Sequence, residues 1–211
     1  MIYLLSPLAK EGTRHLPMIA FGLCDVDLEV ASYDYLMFTS KQAVVSAEKL
    51  NPGWKKIPTL AIGKATAGQI EKLGGTVAYS PENFYGNVLG QDIVDRFGDK
   101  KILYIRPKEV SFDAKRFLTK AGIALDEAVV YETHCISYNP SDKPEEGAII
   151  IFTSPSTIHC FLRNFDWDMN YTAVVIGEAT KAHLPEGAKV FVAQKPLISS
   201  CIEKAEALLL Q

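Results

Sequence analysis

Two short motifs occur twice in this chain at matched spacing, and their residue types suit the binding of small anions. Phe38-Thr39-Ser40 returns as Phe152-Thr153-Ser154, and Gly63-Lys64-Ala65-Thr66 returns as Gly177-Glu178-Ala179-Thr180, each pair 114 residues apart. Each motif follows an apolar run of strand length and precedes a helical stretch, so hydroxyls and amides collect where a strand ends and a helix begins. Unpaired N–H groups and the positive end of a helix dipole attract carboxylate or phosphate oxygens. Glycine at such a junction lets a ligand approach the backbone closely. Helix capping alone also explains Ser and Thr there, and a duplication copies a cap as readily as a binding site. Four junctions at matched spacing favour a cleft shared by two related halves.

Other residues add to this chemistry or limit it. Lys41, Lys64, Arg106, Lys108 and Lys181 fall near predicted strand ends. Together they give a locally positive mouth suited to a polyanionic small molecule, although each alone reads as part of a solvated face. Tyr131 ends the run Val-Val-Tyr-Glu-Thr. It reads equally as a packed aromatic with a wet hydroxyl or as a hydroxyl facing a crevice. Gly-Lys-Ala-Thr lacks the upstream glycine and the Lys-Ser/Thr ending of a phosphate loop, and no G-x-G-x-x-G follows a strand. His134-Cys135 and His159-Cys160 suggest metal, but neighbours on a strand point to opposite faces and no further close pair completes a zinc site. Ordinary packing is the reading for both pairs. His15 and His183 read as surface or helix residues. No G-x-S-x-G elbow is present.

The elements that must position these groups are also written twice. Ile2–Pro7 (IYLLSP) resembles Ile102–Pro107 (ILYIRP) at an offset of 100, whereas the later motifs match at 114. An insertion within roughly 131–147 accounts for the change. Two copies at this spacing make a duplicated half, since repeat arrays have periods of about 20–50 residues. Each copy reads as a strand (2–5; 102–105), a helical stretch ending at Gly22 or Gly122, a β-prone run (27–30; 126–131), and then the two motif-bearing strand–helix pairs. Fully apolar strands alternating with helices imply parallel βαβ units in three-layer α/β/α packing. The segment 137–147, SYNPSDKPEEG, reads as a linker.

Composition agrees with a folded protein and removes several classes. With 48% hydrophobic and 22% charged residues in 211 positions, the chain supports one large or two small cores. A formal charge of −3 supplies no global field for nucleic acid. No apolar run approaches the ~20 residues of a membrane helix, and MIYLLSPLAKEG lacks the basic leader of a signal peptide. Four scattered cysteines without a C-x-x-C pair suggest reduced thiols in a cytoplasmic protein.

In order and spacing, FTSKQAV (38–44), AIGKATA (61–67), VVYET (129–133), FTSPST (152–157) and VIGEAT (175–180) resemble the uroporphyrinogen-III synthases of haem biosynthesis. The resemblance covers essentially the whole chain. It implies two α/β lobes with exchanged halves, joined by a two-stranded linker. One lobe comprises 1–32 plus 148–211 and the other 36–130, with connectors at 31–35 and 131–147. It further implies cyclisation of hydroxymethylbilane, a linear tetrapyrrole with eight carboxylates, with loss of water and inversion of ring D, in the cleft between the lobes. No metal or organic cofactor takes part in the family's reaction.

On this resemblance Tyr131 matches the tyrosine proposed as proton donor. Thr39, Ser40, Gly63, Lys64, Ala65, Thr66, Arg106, Ser154, Gly177, Ala179 and Thr180 are assigned to substrate binding. Three positions depart from the family pattern. Ser6 stands where many members have arginine, Ala179 where some have a second threonine, and Ser111 where a basic residue is common. The expected protein is a cytoplasmic monomer acting on a small molecule, with neither nucleic acid nor membrane as partner. The other reading of the same residues is a bilobal sensor that closes on a small anion without chemistry.

Overall fold

The computed structural model describes residues 1–81, 86–110 and 112–210. Along the chain the strands are β1 (Ile2–Leu4), β2 (Arg14–His15), β3 (Ile19–Leu23), β4 (Tyr35–Phe38), β5 (Thr59–Ala61) and β6 (Val77–Tyr79). They continue with β7 (Lys101–Pro107), β8 (Ala124–Cys135), β9 (Ile149–Phe152), β10 (Thr172–Val175) and β11 (Lys189–Val192). The helices are α1 (Lys41–Leu50), α2 (Lys64–Lys72), α3 (Gly86–Arg96), α4 (Ala114–Lys120), α5 (Pro155–Asn164), α6 (Glu178–Lys181) and α7 (Ile198–Leu209). The chain divides into two compact units, Met1–Ala20 with His134–Gln211, and Phe21–Thr133.

The first unit is built on the sheet β11-β10-β9-β1-β2, parallel throughout. The central strands β9 and β10 are buried at every residue, as strands covered on both faces must be. Alternation then divides their side chains between two cores. Ile150, Phe152, Ala173 and Val175 pack with Ile158 and Phe161 of α5, while Ile149, Ile151 and Val174 pack with Cys201 and Ala205 of α7. The second unit repeats the scheme on the sheet β3-β8-β7-β4-β5-β6. Leu36 and Phe38 join α1, α2 and Trp54 on one face, and Met37 joins residues of α3 and α4 on the other. Each unit is therefore the α/β/α sandwich expected from the apolar runs.

The early part of the first copy differs from expectation. No helix follows Pro7; the chain instead forms β2 and β3, with Gly12 at φ 76° ahead of β2 and Pro17 between the two strands. A left-handed turn and a residue without an N–H interrupt helical hydrogen bonding there. Its second copy does form the helix, as α4. Residues 27–30 are not a strand: Leu28 and Val30 are buried, but the Leu28 carbonyl accepts from the Asn51 side chain at 2.8 Å rather than from a ladder. In their place β3 pairs with β8. The bonds Cys24 N–H to Val130 O (3.0 Å) and Ile136 N–H to Met18 O (2.9 Å) run in opposite senses along the two segments, so the pairing is antiparallel. The chain passes between units inside these two strands, at 20/21 and 133/134. Residues 21–32 thus belong with the second unit and 134–147 with the first, in contrast to connectors at 31–35 and 131–147.

The cysteines also depart from expectation. Cys135 at the end of β8 and Cys160 in α5 are joined by a disulfide, with Cα atoms 5.2 Å apart. Sequence separation of 25 residues hides a proximity that only the folded first unit creates.

The turn after α2 offers a test of the packing. A methyl group at Gly75 would lie 2.5 Å from Cζ3 of fully buried Trp54 and 2.9 Å from Cγ2 of Ile70. Gly75→Ala should lower unfolding free energy by about 1–3 kcal/mol, the usual cost of overpacking, read from urea melts. Unchanged stability would show that this corner is loosely packed.

Candidate functional site

The second unit gathers hydroxyls at the exit of β4. Ser40 is the N-cap of α1: its extended backbone turns the chain, and its Oγ accepts the Ala43 N–H at 3.1 Å. The same oxygen lies 3.1 Å from the Tyr131 hydroxyl. One residue earlier, Thr39 Oγ1 shares a 2.7 Å hydrogen bond with the hydroxyl of Tyr104. Tyr104 belongs to the core beneath α3 and α4, and Tyr131 to the core beneath α1 and α2. Two adjacent residues thus hold one tyrosine from each face of the sheet.

Strict alternation would not give Tyr131 that position. Val130 and Tyr131 are consecutive, yet both join the α1/α2 core together with Ala128. The β7–β8 register explains it. Arg106 pairs with Val129, but Pro107 pairs with Tyr131, so β8 carries one extra residue at Val130. Such a bulge re-aims the following side chain. Lys108 N–H fixes the displaced backbone by donating to Tyr131 O at 2.9 Å. Phe21 of β3 abuts the Tyr131 ring edge-on, with centroids 5.4 Å apart.

Two cavities open in this unit, the smaller of them onto the Thr39, Ser40 and Tyr104 hydroxyls. One of about 160 Å³ is lined by Thr39, Ser40, Ile62, Tyr104, Glu109 and Phe112, among others. A larger one, about 720 Å³, shares Val110 with it and carries Arg106, Lys108, Lys115, Arg116 and Glu127. Glu127 offsets part of that positive charge. Its carboxylate lies 2.8 Å from Arg106 Nε and 3.8 Å from Lys115 Nζ. The Arg106 contact is an ion pair by distance without the direction of a hydrogen bond. Arg106 also donates through Nη1 to the Pro107 and Lys108 carbonyls, so its guanidinium is held in place at the rim. Lys108 pairs with Glu132 at 2.8 Å.

The other motif residues occupy the junctions where they were expected. Gly63 starts α2, and Lys64 and Ala65 are exposed in its first turn. The first amides of a helix have no partner within it. In the first unit Ser154 caps α5 through a reciprocal pair with Thr157, and Gly177 starts the single turn α6, with Ala179 exposed. Thr66 and Thr180 are buried, and their amides donate to Gly63 O and Gly177 O at 3.0 Å. Both shape their turns from within. At Gly177 the backbone is extended (φ −177°) and an added Cβ would meet nothing within 4 Å. Packing therefore does not require glycine there. Ser6 is buried, with its Oγ accepting from Leu8 N–H at 3.1 Å. Ser111 lies outside the described residues.

Tyr104 was not foreseen as a site residue. Its only signal was parity within Ile-Leu-Tyr-Ile-Arg-Pro, which places it opposite Ile105 without saying what its hydroxyl meets. His159 Nε2 and His183 Nδ1 approach to 3.0 Å, a proximity that their spacing does not announce. Among the described residues no cluster of three or more His, Cys, Asp or Glu is placed to hold a metal ion. Among the described residues no helix is long and apolar enough to cross a membrane.

Burial pushes the Tyr131 phenol above its ordinary range, and the Ser40 hydrogen bond offsets part of the rise. Burial also raises Tyr104; its bond to Thr39 and the Arg106 charge oppose the shift, whereas Glu127 and Tyr131 reinforce it. Both phenols are therefore neutral at physiological pH, able to donate a proton in a hydrogen bond. Phenolate absorbance should show this directly. The difference between wild type and Tyr131→Phe should be one phenol ionising with a midpoint above the reference value of 10.0. A midpoint at or below that value would contradict the buried placement.

Known proteins resemble the chain along most of its length. The family described as uroporphyrinogen-III synthase HemD matches residues 14–203. The uroporphyrinogen-III synthetase of Helicobacter pylori 26695 is 30% identical, with a TM-score of 0.84 over 98% of each chain. A mutant uroporphyrinogen III synthase of the extremely thermophilic bacterium Thermus thermophilus is 13% identical, with a TM-score of 0.59 over 99% of this chain and 98% of that one, a likeness of fold alone. The porphyrin biosynthesis protein HemD of Ruminiclostridium josui is 29% identical over an alignment of 192 positions that covers 83% of this chain and 38% of that protein. The chain thus spans well under half the length of that relative.

Proposed function

The chain belongs to the uroporphyrinogen-III synthase family, and from that premise we propose that it cyclises hydroxymethylbilane to uroporphyrinogen III. Water is lost and ring D is inverted. The observation that carries the residue-level reading is the Ser40–Tyr131 hydroxyl pair at the exit of β4.

A serine hydroxyl has one proton to donate and two lone pairs. Ser40 Oγ already accepts the Ala43 N–H, so its proton is available to the Tyr131 oxygen. That arrangement leaves the Tyr131 proton free to be given to the substrate. When the carbon–oxygen bond of the hydroxymethyl group breaks, the bonding electrons leave with oxygen, and the Tyr131 proton converts the departing hydroxide to water. The resulting phenolate keeps the Ser40 hydrogen bond. The proton released from a pyrrole carbon as the macrocycle closes restores the phenol, so the balance is bilane to macrocycle plus one water. A phenol is a weak acid, and its contribution comes from position.

Binding has a different basis. Eight carboxylates exceed the available cations, and within each unit first-turn amides, of α1 and α2 in one and of α5 and the turn at Gly177 in the other, are suited to donate to carboxylate oxygens. The cations about the larger cavity add charge balance. Holding a flexible chain bent so that its ends meet at the substituted carbon of ring D is the entropic part of the task. The same reading takes the protein to be a cytoplasmic monomer with no metal or organic cofactor.

Chromatographic separation of product isomers tests the reading. Purified protein fed hydroxymethylbilane should yield the type III macrocycle; type I alone at the uncatalysed rate would reject the proposal. Tyr131→Phe should lower turnover by several-fold to about a hundredfold with the fold intact, and unchanged turnover would leave the ring as packing. Gly177→Ala should leave the melting temperature unchanged while raising KM several-fold at nearly constant kcat. A fall in melting temperature without a KM effect would make that glycine structural.

A further inference from the structure

We propose that Cys135 and Cys160 form a reversible dithiol–disulfide site, with Cys135 the sulfur that meets an oxidant and Cys160 the one that resolves it. The inference is independent of the catalytic reading, because both residues lie in the first unit and outside the hydroxyl site. The structure bonds these two sulfurs and leaves Cys24 and Cys201 as free thiols. Their surroundings are unequal. Cys160 is 4% exposed within the α5 core, while Cys135 is half-buried at the end of β8. Arg163, one helical turn beyond Cys160, brings Nη1 to 3.8 Å from Cys135 Sγ. A guanidinium beside a sulfur favours the thiolate, the nucleophilic form. Cys201 is the contrast: burial pushes its thiol up to about 11, and no second sulfur is bonded to it.

The chemistry balances with hydrogen peroxide as oxidant. The Cys135 thiolate attacks the terminal peroxide oxygen, the O–O bond breaks, and hydroxide leaves, giving a sulfenic acid. The Cys160 thiol then attacks that sulfur. The S–S bond forms, the S–OH bond breaks, and the hydroxyl leaves as water with the Cys160 proton. Two thiols lose two electrons in total, and hydrogen peroxide becomes two waters. A small dithiol reverses the bond by exchange and is itself oxidised to a disulfide.

The bond spans 25 residues of sequence, a segment that contains β9 and the Ser154 cap. Closing it restricts the unfolded chain, so the oxidised protein should melt several degrees above the reduced one. The full chain, reduced with dithiothreitol under native conditions and freed of reagent, is treated with one equivalent of hydrogen peroxide. The expected product has lost two hydrogen atoms by intact mass, maps to a Cys135–Cys160 linked peptide, and returns to dithiol on renewed reduction. In Cys160→Ser, dimedone should label Cys135. In Cys135→Ser, Cys160 should be labelled about tenfold more slowly or worse. A bond resistant to native reduction, linkage through Cys24 or Cys201, or equal labelling of Cys160 would overturn the proposal. Mapping in the wild-type chain decides the question even if a serine variant fails to fold.

Discussion

The site depends on one irregularity, the extra residue that β8 carries opposite the step from Arg106 to Pro107. A regular ladder would send Val130 and Tyr131 to opposite faces of the sheet. The bulge places both against the α1/α2 core and so brings the phenol to Ser40, which is itself fixed by its duty as a helix cap. Proline at 107 is compatible with this break because it has no N–H to contribute to a regular ladder. Strand irregularity, helix cap and phenol are thus one mechanical unit, and the burial that anchors the ring also moves its ionisation further above neutral pH.

Around that unit the fold largely separates stability from recognition. Alternating side chains of β4, β7, β9 and β10 supply two cores per unit, completed by buried connecting residues such as Leu28, Val30 and Trp54. The strand ends are consequently free to carry residues chosen for other reasons. Gly177 illustrates this freedom, since its missing side chain leaves open space. Gly75 is the opposite case, required by the indole packed against it. Thr66 and Thr180 belong with Gly75: both are buried and serve the turn, while the exposed neighbours Lys64, Ala65 and Ala179 present their backbone.

Much of this was legible in the residues. Apolar runs such as Tyr35–Phe38 and Ile149–Phe152 declare strands covered on both sides, and the repeated Phe-Thr-Ser and Ile-Gly-x-Ala-Thr junctions mark where helices start. The duplication misled at residues 8–30, because Pro17 and Gly12 let one copy form β2 and β3 where the other forms a helix. Tyr131 was found by motif, but its orientation was not, since a bulge arises from pairing between strands and has no signature in one strand alone. The Tyr104–Thr39 contact and the Cys135–Cys160 bond are likewise products of tertiary proximity, across 65 and 25 residues respectively. Spacing of that order carries no period to read.

A double-mutant cycle on turnover probes the Ser40–Tyr131 unit most directly. Ser40→Ala, Tyr131→Phe and the double variant are compared by their rates of forming the type III macrocycle. Cooperation between the two hydroxyls predicts a coupling energy of about 0.5–3 kcal/mol, with Ser40→Ala costing little once the phenol is gone. Strictly additive losses would mean that the serine only caps its helix and the tyrosine acts without it.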